Sequence, residues 1–128
     1  MKNGLIRTLM LIANKNPEKF ANGADSLTLN VGGQIIVGKI VSRDIFLKQP
    51  QNAVLKAIDD AYSSNMTPEQ IEKEESEINI ETTNYLYLKD ACYFVDGKFI
   101  PSNGNNYMSV QIDSIDAFNM GSLHQGFV

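Results

Sequence analysis

Tryptophan is absent from these 128 residues, and cysteine and histidine occur once each, as Cys92 and His124. A lone cysteine excludes an internal disulfide, so a reducing cytoplasm is the expected compartment. Neither Cys92 nor His124 has metal-ligating neighbours in sequence, and no metal or cofactor is expected. No apolar run approaches the ~20 residues that span a bilayer, so no membrane partner is expected. Clustered lysine and arginine are also missing, and the net charge is −4. Binding to phosphate backbones needs such clusters, which makes nucleic acid an unexpected partner.

What is present is an ordinary globular composition, 43% hydrophobic and 20% charged, in a chain sized for one domain with a real core. The acids are unevenly spread. Residues 69–81 hold six acids and one base, which leaves nine acids and ten bases elsewhere. This segment reads as a solvated helix face or loop, with docking of a basic partner as the minority reading. At the N-terminus, Leu5, Leu9 and Ile12 recur at helical spacing, flanked by Ile6, Met10 and Ala13. Arg7 interrupts the apolar stretch and no clean cleavage site follows it, so an amphipathic helix covering the domain is preferred over a secretion signal.

The stretch "NVGGQIIVGKI" places three glycines among β-branched residues. It lacks the Lys-Ser/Thr of a phosphate loop and the spacing of a dinucleotide fingerprint. Gly32 and Gly33 lie between two strand-like runs and predict a hairpin turn. Gly38, inside the second run, predicts a bulge or bend that curls the sheet. Ser42 is placed to cap a short helix with Asp44 in its first turn. After Pro50, residues 51–62 set Val54, Leu55, Ile58, Ala61 and Tyr62 on one helical face. Thr67 and Gln70 form a capping box with Pro68 at the first helical position. Strand character returns at residue 84 with "NYLYLKDACYFV", followed by an Asp96-Gly97 turn. Met108, Val110 and Ile112 then alternate, Ile115 follows out of phase, and Gly121 is expected to end the last strand.

This order resembles the Sm-like small barrel. Residues 27–42 stand where the first Sm motif sits, with Gly38 at its strand glycine, and residues 110–118 stand where the second sits. The resemblance implies an α+β, Sm-like (SH3-like) five-stranded antiparallel β-barrel with an N-terminal helix; the helical insertion between strands 2 and 3, at residues 43–80, departs from the Sm pattern, which has a short connection there. The layout is one domain: helix and linker over 1–22, hairpin over 24–42, helical insertion over 43–80, remaining strands over 84–123. A wider resemblance runs from Leu27 to Leu123, outside the helical middle. "LTLNVGGQIIVGKIVS", "YLYLKDACYFVDGKFIPSNG" and "IDSIDAFNMGSL" look like the gas vesicle accessory protein family GvpU. That resemblance implies a bacterial cytoplasmic protein without catalytic machinery, with gas vesicle components as possible partners.

The Arg-Gly pair that Sm proteins place beside RNA is replaced by Gln111 and Ile112, which removes a cation and a stacking plane. A single-stranded RNA-binding module is therefore the runner-up to a self-associating, non-enzymatic scaffold, and an unrecognised ligand-binding protein or enzyme comes third. His124 reads as a surface residue and Cys92 as barrel wall. A Cys92–His124 pair is conceivable, but nothing in the sequence brings the two together. Asp113 and Asp116 read as acceptors for backbone N–H groups rather than as paired catalytic carboxylates. Tyr85, Tyr87, Tyr93 and Tyr107 read as amphipathic wall or interface. No lysine, arginine or proline lies between Tyr107 and Phe118, so nothing there guards an exposed edge. Tyr107, Val110, Ile112, Ile115 and Phe118 are accordingly the expected self-association interface.

Overall fold

The computed structural model describes residues 1–121. Helix α1 (Gly4–Lys15) precedes a hairpin of β1 (Ser26–Val31) and β2 (Gln34–Ile40). Three helices follow, α2 (Arg43–Leu47), α3 (Ala53–Ser64) and α4 (Pro68–Ser76). The chain then returns as β3 (Tyr85–Val95), β4 (Lys98–Ile100), β5 (Met108–Gln111) and β6 (Ile115–Met120). All strand pairings are antiparallel. The sheet runs β4-β3-β2-β1-β6, and β5 pairs with the opposite end of β3 from β4.

The expected closed five-stranded barrel is corrected to an open six-stranded sheet. The extra strand arises because β3 is eleven residues long, so one edge has room for both β4 and β5. The sheet is nevertheless curled. β5 and β6 lie at opposite edges, and a single 3-10 turn, Ile112–Ser114, joins them. Four strand spacings in a flat sheet are ~19 Å, whereas the link from Gln111 to Ile115 reaches at most ~14 Å. Closure fails at this turn. The carbonyls of Ile112 and Ile115 accept from the Asn3 side chain at 2.9 and 3.0 Å, so the head of α1 fills the gap where a ladder would form.

Two bulges shape the curl. Asp90 and Ala91 of β3 together face Gly38, and Asp90 adopts φ 52°. A Cβ on Gly38 would lie 3.0 Å from the Cβ of fully buried Leu88, so close strand approach is what requires glycine there. The second bulge lies in β6, where Asp116 is the unpaired residue. Its carboxylate accepts from the Gly32 N–H at 2.8 Å, fastening β6 to the β1–β2 turn. Gly32 and Gly33 carry φ 59° and 85° in that two-residue turn. Asp96 and Gly97 form the β3–β4 turn, and Gly121 follows β6.

The core lies between the concave face of the sheet and α1. Leu27 and Leu29 of β1, Leu86 and Leu88 of β3, and Ile112 and Ile115 at the β5–β6 corner are all essentially inaccessible. From α1, Ile6, Met10 and Ala13 enter this core, while Leu5, Leu9 and Ile12 face outward. The stripe read as primary in the sequence is thus the outer one. Arg7 selects the inner face. It is buried, donates to the carbonyls of Lys2 and Thr83 at 2.7 Å each, and pairs with Asp113. A smaller cluster of Val41, Phe46 and Leu47 seats α2 on the sheet beside Tyr87 and Tyr107.

Candidate functional site

The helical insertion is where surface chemistry accumulates. Ser42 begins it, its hydroxyl accepting from the Ile45 N–H at 3.1 Å as an N-cap. Buried Asn52 then donates to the Phe46 carbonyl at 2.7 Å and fixes the turn into α3. Gln51 clamps the Tyr107 backbone, donating to its carbonyl and accepting from its N–H. These bonds aim α3 away from the core. None of its twelve residues is buried, and Val54, Ile58 and Tyr62 are 74%, 63% and 66% exposed. The apolar face that the sequence sets along this helix is left uncovered by the described residues.

Two adjoining clefts of about 420 and 450 Å³ separate this arm from β3. They share Arg43, Asp59, Tyr62, Tyr85 and Tyr87. The strand alternation of β3 sends Leu86 and Leu88 into the core and Tyr85 and Tyr87 to the clefts. Arg43 bridges arm and sheet, holding Asp59 of α3 at 2.7 Å. That bond raises the guanidinium pKa further and keeps it charged. Tyr87 packs on Phe46 with ring centroids 4.8 Å apart, and its burial raises the phenol pKa despite nearby Arg43. One cleft continues past Tyr62 to Met66, Ile78 and Glu74 of the acidic segment. Sequence reading missed Arg43 and Asp59, because an exposed ion pair between two separate helices leaves no local pattern. Tyr62 was visible only as part of the α3 stripe.

The other candidates disperse. Asp113 pairs with Arg7 while Asp116 serves the Gly32 N–H, so the two carboxylates have separate structural partners. Cys92 is half-buried on β3. Burial, with a contribution from Asp90, raises its pKa, opposite to the shift that activates a nucleophilic thiol. His124 lies outside the described residues. Among those residues, no group of three histidine, cysteine, aspartate or glutamate side chains is placed to hold a metal. No helix among them is long and apolar enough to cross a membrane. Of the expected interface, Val110, Ile112 and Ile115 are corrected to core residues, because β5, paired beside β3, and the corner after it turn these side chains into the core. Tyr107 and Phe118 remain partly accessible. Gln111 is exposed where Ile112 is fully buried, so only one of the two positions that replace the Arg-Gly pair faces solvent.

Comparison with known families decides the assignment. The family model for gas vesicle protein GvpU-like proteins matches residues 5–123. The chain belongs to the GvpU-like family. That match spans α1 from its second residue, every strand of the sheet and the whole helical insertion, so the cleft region is part of the family domain. No curated protein and no solved structure matches the chain.

Proposed function

We propose that this GvpU-like protein is a non-enzymatic cytoplasmic scaffold that acts on gas vesicle components and on copies of itself through protein–protein contacts. The sheet, in this reading, is an unclosed relative of the Sm-like barrel that has given up RNA binding. The observation that carries the proposal is the uncovered apolar face of α3, held off the core by polar anchors at its base. Large contiguous apolar exposure on a small domain marks an interaction surface. The acidic segment that rims the same region disfavours a phosphate-backbone partner. Among the described residues, the outer edges of β5 and β6 away from the Asn3-filled corner carry no third strand and add backbone groups that a neighbour can pair.

Flotation tests the reading directly. Purified protein mixed with purified gas vesicles is expected to rise with the buoyant layer, and an Ile58→Lys variant is expected to stay below. Wild-type protein that remains in the subnatant at saturating vesicle concentration overturns the vesicle part of the proposal. Tight, salt-sensitive binding to oligo-uridine would replace it with the RNA-binding reading.

A further inference from the structure

The molecule displays two uncovered apolar helix faces with opposite electrostatic surroundings. On α1, Leu5, Leu9 and Ile12 are exposed, and exposed Met1 extends the stripe. Lys2 and Lys15 flank it, and the first acidic residue of the chain is Glu18. On α3, Leu55, Ile58 and Tyr62 border the cleft floored by Tyr85. Past Tyr62, Glu74, Glu75 and Glu77 of the α4 segment line the continuing grooves. The stripe from Leu5 to Ile12 and the face from Leu55 to Tyr62 each cover seven helical steps, ~10 Å. Arg43 of the cleft is paired with Asp59, and Lys73 lines one groove beside these glutamates, so the acidic excess lies at the Tyr62 end. Length and apolar character match, and the charges oppose at that end.

We infer that α1 of one copy seats in the α3 groove of a second copy, with Lys15 of the first meeting Glu74 of the second. The proposal rests on the self-association part of the function proposed above and names its surfaces. Within one chain the contact is barred. Ile6, Arg7, Met10 and Ala13 pin the inner face of α1 to the core, so its outer stripe cannot turn toward its own groove. The proposed contact is heterologous, running head to tail rather than exchanged reciprocally within one pair. Each added copy leaves one free stripe and one free groove, and assembly proceeds beyond a dimer.

Two variants test it, both at exposed positions: Leu5→Glu on the stripe and Ile58→Lys in the groove. Wild-type protein is expected to grow in mass with concentration in light scattering or sedimentation. Each variant alone is expected to stay at the mass of one chain, with an unchanged melt. Mixed, they should form a two-chain complex and stop there, because the intact groove of one still accepts the intact stripe of the other. Lys15→Glu and Glu74→Lys repeat the test through charge. Each should weaken association at least tenfold alone, and their mixture should recover it. Wild-type association that all four substitutions leave unchanged overturns these surfaces while self-association stands. Variants that lose association but do not complement when mixed overturn the pairing. A wild type with the mass of one chain at every concentration overturns both.

Discussion

Helices α1 and α3 are each twelve residues long and each amphipathic, yet α1 buries four residues and α3 buries none. Hydrophobicity does not separate them. Polar anchoring does. The buried Arg7 guanidinium donates to the Thr83 carbonyl and pairs with Asp113, two segments far away in sequence, and Asn3 bridges the open corner of the sheet, so the orientation of α1 is fixed. Helix α3 is tied down by the Arg43–Asp59 pair, which is partly solvated and worth at most ~1 kcal/mol. An apolar stripe thus becomes core where non-local polar groups fasten the helix onto the sheet, and stays surface where, as with Gln51 and Asn52, they hold only its base and aim the rest away.

Truncation on each side breaks the comparison most strongly. Leu86→Ala in the sheet is expected to lose ~2–5 kcal/mol in denaturant unfolding, because it empties volume beneath α1. Ile58→Ala on α3 is expected to stay within ~0.5 kcal/mol. Comparable losses at the two positions would show that α3 is packed after all. A smaller effect probes the bulge. Gly38→Val is expected to cost ~1–3 kcal/mol, since the added carbons meet Leu88 with no room to move. An unchanged melt for that variant would show that the strands do not approach so closely.

The same contrast explains what was legible. Strand positions, the Gly32–Gly33 and Asp96–Gly97 turns, the Ser42 cap and the Thr67–Gln70 capping box are local patterns, and each can be read within a few residues. The inner face of α1 was not legible, because Leu5-Leu9-Ile12 and Ile6-Met10-Ala13 both satisfy helical spacing. What chooses between them is Arg7 meeting Thr83 and Asp113, residues far away in sequence. Sheet closure was hidden for a similar reason. It turns on whether the Ile112–Ser114 corner offers its carbonyls to a strand or to Asn3. The cleft was half legible. Alternation placed Tyr85 and Tyr87 on one face, but nothing local announced Arg43 opposite Asp59.

A cap substitution sharpens the comparison from the helical side. Thr67 and Gln70 satisfy each other's backbone N–H groups at 3.2 and 2.8 Å, and α4 has no buried residue to support it otherwise. Thr67→Ala is expected to weaken α4 locally by ~1 kcal/mol. Faster amide hydrogen exchange should be confined to residues 68–77, with the global melt unmoved. A matching fall in the melting temperature would mean that α4 unfolds together with the sheet.

The smallest expected effect lies at the seam between the two regions. Tyr87 projects from β3 against Phe46, and burial raises its phenol pKa above the ordinary value of 10.0. The unfolded chain therefore releases this proton at lower pH than the folded one. Stability from the neutral phenol is fully present below pH 10 and is lost as pH rises through the raised folded value. Tyr87→Phe removes the titrating hydroxyl but keeps the ring against Phe46. Wild type and variant are expected to melt nearly alike at neutral pH. In the alkaline range the wild type should lose stability more steeply, though the variant keeps a shallower decline from Cys92 and Tyr107, whose pKa values are both raised by burial and by Asp90. Parallel curves across the alkaline range would place the Tyr87 hydroxyl in water. The seam between sheet and arm would then be as open as α3 itself.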